Sequence, residues 1–314
     1  MLWILEICIV MLVKVPNKVV LLSGKALGNI AYLVDARHRR IVWRNLRFAM
    51  PELTIHQIRE ISRKVFQNAA ISLLEIIQMA ALSPEDILRR VKVLGEENLL
   101  AARGGRNGAI VISAHFGNWE MGHIFGSCYL REPLVLVARK IRPKLVNTWL
   151  ERLRSRFGNE ILDKGSALPK MIRALRKGRI LGILIDQGTL LSDGIEIRFF
   201  GKTTNATPAA AILARRYQCP VVPIFCVRKE DGTLEMQVLK PLSLQKTENY
   251  EQDIQANTQK MMDCIENTIR EHPEQWFWFH KRWKRHHPYL YPEEIIRRKK
   301  KKMRKKMRQE RLKQ

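Results

Sequence analysis

The chain has 314 residues, 46% of them hydrophobic, so it can bury a sizeable core, and its length suits one large α/β domain with helical additions. Its five cysteines, Cys8, Cys128, Cys219, Cys226 and Cys264, show neither paired spacing nor a Cys-x-x-Cys. That argues against a disulfide framework or a zinc site and for a reducing compartment. The formal net charge of +26 calls for a polyanionic partner, yet charge alone does not choose between nucleic acid and an anionic membrane.

The amino terminus makes that choice. Met1 to Val13 is apolar except for Glu6, and Val19 to Val34 carries only Lys25. Neither run reaches the roughly 20 residues that cross a bilayer. The positive flank follows the apolar run instead of preceding it, unlike a secretory signal. Residues 1–34 are expected to form one helix, or a broken helical pair, that dips into or just spans the membrane; an ordinary helix buried on the core is the alternative. Arg37, Arg39, Arg40, Arg44 and Arg47 would then lie at the level of lipid head groups.

Thr54 is a candidate cap for a helix reaching Leu82, with apolar positions at Ile58, Ile61, Val65, Ala69, Leu73 and Ile76. Ser83-Pro84 opens another helix, Val91 to Val93 is short and ambiguous, and Glu96 to Arg103 is helical before a Gly104-Gly105 break. Strands are expected over the apolar run that ends at His115, over Leu134–Ala138, at Ile161-Leu162 and over Ile180–Ile185, with helices over 143–157 and 167–177 between them. A helix from Ala206 to Tyr217 has Pro208 in its first turn. Val221–Val227 and Leu234–Leu239 form a hairpin around Asp231-Gly232, and a long helix from Asn249 to His272 ends at Pro273. The order is βαβα with a late hairpin, which gives an α/β fold: a mixed sheet flanked by helices, preceded by an N-terminal membrane-associated helical segment. Three parts are expected: a membrane-anchoring segment over 1–34, a catalytic domain over 35–292, and a polybasic tail over 293–314. In the tail, residues 297–313 hold twelve Lys or Arg against one Glu, too charged to pack, so a disordered or solvated extension is expected.

The most informative stretch is Gly108-Ala-Ile-Val-Ile-Ser-Ala-His-Phe-Gly-Asn-Trp-Glu120. A β-branched run ending in a Gly-Asn turn places His115 at the carboxyl end of a strand, where open α/β sheets bind ligands. Glu120 meets His115 only if the chain turns between them, and Phe116-Gly117-Asn118 supplies the turn. A carboxylate beside an imidazole fixes its tautomer and prepares the other ring nitrogen to take a proton from a hydroxyl. Backbone N–H groups near Gly117 and Asn118, at the start of the next helix, are candidate donors for an oxyanion. No His-Glu-x-x-His occurs, and no metal is expected.

These residues resemble the lipid A biosynthesis acyltransferases, the lauroyl and myristoyl transferases of the wider lysophospholipid acyltransferase superfamily. The shared signature is a His, four residues, then Asp or Glu, and His-Phe-Gly-Asn-Trp-Glu is close to that family's version. Further blocks follow in the same order: Arg39-Arg40-Ile-Val-Trp-Arg-Asn45-Leu, Val137-Ala-Arg139-Lys-Ile-Arg142-Pro, Leu153-Arg154-Ser-Arg156-Phe-Gly158, Ile183-Leu-Ile-Asp186-Gln, Phe199-Phe-Gly201-Lys and Trp276-Phe-Trp-Phe-His280-Lys-Arg-Trp.

The resemblance implies an enzyme that moves an acyl chain from an acyl-carrier-protein or coenzyme A thioester to a hydroxyl of a lipid A precursor or related glycolipid. It would work on the cytoplasmic side of the inner membrane, without a further cofactor, a metal or nucleic acid. His115 and Glu120 would be catalytic; Asn118, Arg139, Arg142, Arg154 and Asp186 would bind substrate. Arg154 matches the family's functional arginine, with a two-residue offset to Arg156 left open, and Asp186 needs a partner that one of these arginines would supply. Where many members show Asp-x-Asp, this chain has Asp186-Gln187-Gly188, which weakens any role for a second carboxylate. Acylation of a lysophospholipid or another glycolipid, and a membrane-tethered polyanion-binding protein without catalysis, are the alternatives.

Overall fold

The computed structural model describes residues 15–103, 107–163, 165, 167–297, 303 and 307. The apolar run over 1–13, the Gly104-Gly105 break and most of the basic tail lie outside these residues.

Helix α1 (Asn17–Val34) leads through Asp35 into α2 (Ala36–Ala49), where the Asp35 carboxylate caps the His38 N–H at 3.0 Å. The two helices are bent by 93°. α3 (Ile55–Met79) begins in the expected capping box: Gln57 N–H donates to Thr54 Oγ1 at 3.3 Å, and Thr54 N–H to Gln57 Oε1 at 2.9 Å. α1 packs on α3 at glycine distance. A Cβ on Gly24 would lie 2.8 Å from the Ile71 Cα, and one on Gly28 would collide with the Gln67 backbone. The apolar residues of α1 that do not face α3 stay exposed, with Leu22, Ile30, Leu33 and Val34 all more than half exposed.

Seven strands follow: β1 (Val91–Leu94), β2 (Ala109–Ser113), β3 (Val135–Ala138), β4 (Glu160–Asp163), β5 (Ile180–Leu184), then, after a separate hairpin of β6 (Ile195–Phe199) and β7 (Lys202–Ala206), β8 (Val221–Arg228) and β9 (Leu234–Val238). The main sheet has the order β1-β9-β8-β2-β5-β3-β4. All its pairs are parallel except β8 with β9. It is thus a mixed sheet dominated by parallel strands, and the ambiguous 91–93 segment is its edge strand. Residues of β2 alternate between two cores: Ile110 and Ile112 join one, and Ala109 joins the other. Both faces are covered, as a parallel sheet requires. The covering helices include α4 (Pro84–Arg89), α5 (Glu96–Arg103), α6 (Trp119–Leu130), α7 (Lys144–Arg154), α8 (Leu168–Arg176), α9 (Ala209–Tyr217) and α10 (Tyr250–Glu271).

The hairpin β6–β7 departs from the sequence reading. Ala206 ends β7 instead of opening a helix, and α9 starts at Ala209 with Pro208 as its N-cap. Phe200 and Gly201 both have positive φ, 54° and 66°, which is the signature of a two-residue hairpin turn. The Phe-Phe-Gly-Lys block is therefore a turn that tucks Phe199 and Phe200 into the core against Trp283.

Candidate active site

Parallel register builds the site. β2 and β5 are neighbours with Ser113 opposite Leu184, and the ladder continues through Ile185 N–H to Ser113 O at 3.1 Å. Two residues further along each strand come His115 and Asp186, so the register that pairs the strands also sets imidazole against carboxylate. His115 Nδ1 lies 2.8 Å from Asp186 Oδ1. The other carboxylate oxygen accepts from the Trp276 indole N–H at 2.9 Å. Burial alone would raise the Asp186 pKa, but the facing His115 and the Trp276 hydrogen bond hold it well below the usual carboxylate range. An ionised carboxylate only accepts, so the proton between them belongs to His115 Nδ1. Nε2 is left with its lone pair, and the Gln187 amide nitrogen donates towards it at 3.2 Å. Burial pushes the His115 pKa down; Asp186, with help from the charge of Glu120, more than offsets this, and the net shift is upward.

This arrangement corrects the expected pairing. The carboxylate hydrogen-bonded to His115 is Asp186, and Asp186 is held by His115 and Trp276, with no arginine ion-paired to it among the described residues. Glu120 sits in the first turn of α6, 3% exposed, and accepts two bonds from Arg154 of α7: Nε to Oε2 at 3.0 Å, and Nη2 to Oε1. Burial would raise its pKa as well, but Arg154 and the neighbouring His123 bring it below the ordinary value. Glu120 therefore acts on His115 through its charge and not through a hydrogen bond. The two arginines differ in their contacts: Arg154 holds Glu120, whereas Arg156 donates to the Met79 carbonyl at 2.7 Å.

Asn118 is fully buried and structural. Its Oδ1 accepts the Met121 N–H at 3.0 Å as the N-cap of α6, and its Nδ2 donates to Glu75 Oε2 at 2.6 Å. The same Glu75 carboxylate is gripped by Arg228 at the end of β8, and Ser72 donates to the Gly117 carbonyl at 3.1 Å. Only glycine fits at 117: φ is 55°, and a Cβ there would collide with the Cys226 carbonyl. The backbone donors expected at this turn are already used, Gly117 N–H by the Gln275 carbonyl at 2.9 Å and Asn118 N–H by the Cys226 carbonyl at 3.3 Å. The next two N–H groups, of Trp119 and Glu120, lie in the first turn of α6, where the helix offers them no acceptor.

Arg139 and Arg142 are exposed beyond the carboxyl end of β3, on the same sheet edge as His115, with no carboxylate partner among the described residues. A further wall was carried by the Trp276–Trp283 block, for which the sequence reading gave no role. Phe277 N–H donates to the His115 carbonyl at 2.9 Å, Phe116 bridges Trp276, and the His115 ring lies 5.3 Å from Trp119 and 6.4 Å from Phe277. The density of aromatic residues in that block was the available signal. Among the described residues no group of three His, Cys, Asp or Glu side chains is placed to hold a metal ion.

A histidine held by a buried carboxylate at the carboxyl edge of a largely parallel sheet is an arrangement that can take a proton from a hydroxyl. The profile of the family described as bacterial lipid A biosynthesis acyltransferase matches residues 1–285, and the chain belongs to that family; it is an acyltransferase. It is 29% identical over 280 residues to the lipid A biosynthesis lauroyltransferase of Escherichia coli (strain K12), covering 87% of this chain and 88% of that one. To the lipid A biosynthesis palmitoleoyltransferase of the same organism it is 26% identical, covering 87% of each. To the phosphatidylinositol mannoside acyltransferase of Mycolicibacterium smegmatis (strain ATCC 700084 / mc(2)155) it is 23% identical, covering 67% of each.

Proposed function

We propose that this enzyme transfers a fatty acyl group from an acyl-carrier-protein or coenzyme A thioester to a hydroxyl of a lipid A precursor or related anionic glycolipid, with His115 as the general base. The acceptor hydroxyl replaces the Gln187 amide at Nε2 and gives its proton to that nitrogen as its oxygen attacks the thioester carbonyl. Asp186 stabilises the imidazolium so formed. The developing oxyanion faces the N–H groups of Trp119 and Glu120 at the positive end of α6. Arg154, paired with Glu120, offsets part of that carboxylate's charge beside the oxyanion. When the tetrahedral intermediate collapses, the C–S bond breaks and the imidazolium returns its proton to the leaving thiolate. The reaction so written needs no resident cofactor. The observation that carries this reading is the His115–Asp186 hydrogen bond at the carboxyl edge of β2 and β5, which leaves Nε2 as an acceptor.

The acceptor is proposed from the family, and a mannosylated phosphatidylinositol acyltransferase among the relatives supports a second reading, acylation of another anionic glycolipid. A non-catalytic polyanion binder is set aside by membership of an enzyme family. We place the enzyme on the cytoplasmic face of the inner membrane, with α1 as its anchor. No single described helix is long and apolar enough to cross a membrane, although α1 and α2 pass that test as a bent pair. α1 fits an interfacial position: an apolar face on one side, and arginines in the helix that follows. The tail beyond residue 297 adds attraction to anionic lipid. The deciding experiment is acyl transfer by the purified protein from carrier-protein and coenzyme A thioesters to a glycolipid, together with mass spectrometry of lipids from cells lacking it. If wild type gives no acylated glycolipid and His115→Ala changes no lipid, the proposal fails.

A further inference from the structure

A cleft of about 380 Å³ lies away from His115, between α1, α2 and the start of α3. Tyr32, Arg39, Arg40, Trp43, Arg44 and Arg59 line it. Four guanidinium groups thus converge on one volume. Only Arg44 has a carboxylate partner among the described residues, Glu293 at 2.8 Å. Arg39 lies over the Tyr32 ring at 5.4 Å and spends one nitrogen on the Tyr32 and Leu33 carbonyls; Arg40 spends its Nε on the Ala36 carbonyl at 3.0 Å. A guanidinium carries five N–H donors, so most remain unused. The buried Trp43 indole N–H also has no acceptor. Like charges gathered without anions repel, and this set is completed by a group with several acceptor oxygens and a negative charge. Planar, bidentate recognition by arginine fits phosphate.

The cleft is joined to the active site by an unbroken row of rings. Tyr32 meets Phe66 at 5.5 Å, Phe66 meets Phe279 at 4.8 Å, Phe279 meets Phe277 at 4.9 Å, and Phe277 meets His115 at 6.4 Å. Tyr32, Phe279 and Phe277 are half-buried and Phe66 is buried among them, so one amphiphile lying over this row would bring a phosphate to the cleft and a hydroxyl to His115. We infer that the arginine cleft of α1, α2 and α3 binds a phosphate group of the acceptor while its hydroxyl is at His115. The inference rests on the proposed reaction for the identity of the amphiphile, and its test uses no acyl donor, so the two can fail separately.

Arg40 and Arg59 are exposed, and an Arg40→Gln/Arg59→Gln double variant should fold; a thermal melt checks this. Equilibrium binding in neutral detergent micelles is measured for an acylated glucosamine disaccharide bearing phosphate and for the same molecule with the phosphate removed. Wild type should prefer the phosphorylated form by about tenfold or more, and the variant should lose that preference. Flotation on phosphatidylglycerol vesicles and on neutral vesicles forms the second arm. A preference that survives in the variant, or is missing from wild type, overturns the inference. So does a variant that loses only flotation on phosphatidylglycerol, which would assign the cleft to bilayer head groups. Loss of preference in a protein that transfers no acyl group would support the cleft and overturn the proposed reaction.

Discussion

Around His115 the charged groups are buried and each has a fixed partner, whereas on α1 and α2 apolar side chains and arginines stand in the open. Asp186 and Glu120 are 1% and 3% exposed; Leu33 and Val34 are 71% and 75% exposed. The first region works through geometry, since each group is placed by strand register, a helix cap or a facing side chain, and removing one leaves another buried without a partner. The second works through summed area and charge, so no single residue in it is decisive.

Substitutions at the two regions should therefore differ in size. The largest loss is expected at His115→Ala, with turnover falling about 10²–10⁴-fold; Asp186 then keeps only its Trp276 hydrogen bond, so the melting temperature should fall as well while the fold persists. Steady-state transfer and circular dichroism read the two quantities, and near-wild-type turnover would remove His115 from catalysis. Asp186→Asn should follow, with a distinctive pH profile. The base must be neutral, so activity falls as pH drops through the His115 pKa, which Asp186 raises. Without that carboxylate the pKa falls, and the acid limb of kcat/KM should move to lower pH on a much reduced plateau; an unmoved limb would deny Asp186 its orienting role.

Next comes the Glu120–Arg154 pair. Either single truncation strands a buried charge and should destabilise by about 3–5 kcal/mol. The double variant Glu120→Leu/Arg154→Met should lose less than the two singles together, as urea denaturation will show. Additive losses would mean the pair is not coupled. On the open side, Leu22→Asp with Leu33→Asp should weaken vesicle binding about tenfold or more and leave the melting temperature within a few degrees, because neither side chain packs in the core. Equal partition of variant and wild type would place the anchor elsewhere.

The smallest effect is expected from the tail. Glu293 and Glu294 bind Lys281 at 3.0 and 2.9 Å, and Tyr291 is buried with its hydroxyl on Asn45, so the body continues past 292 and the cut belongs after Arg297. That truncation should lower binding to anionic vesicles only at low salt, and leave transfer in micelles intact. A matching loss in micelles would show that the tail serves the site.

Much of the fold was legible because its signals are local. The capping box at Thr54, the strand before His115, the hairpin at Asp231-Gly232 and the helix from 249 to 272 all follow from periodicity, caps and turn residues, and agree with the structure to within a few positions. The β6–β7 hairpin was missed because Phe199-Phe-Gly-Lys hides its turn behind a phenylalanine at positive φ. In the site, His115 at a strand end was legible, but its partner was not. Glu120 is five residues away in sequence and Asp186 is seventy-one, and proximity along the chain favoured the carboxylate that does not hydrogen-bond the imidazole.

The sequence by itself determined the strand-turn-helix that presents His115, the glycine that makes the turn, the asymmetry of charge and the family. Only the tertiary structure decided which carboxylate meets the imidazole. That choice depends on β5 lying beside β2 with Ser113 opposite Leu184, and on Arg154 arriving from α7 to hold Glu120. Short-range preferences are written into neighbouring residues, whereas the pairing of buried charges is settled by whichever long-range arrangement leaves none of them alone.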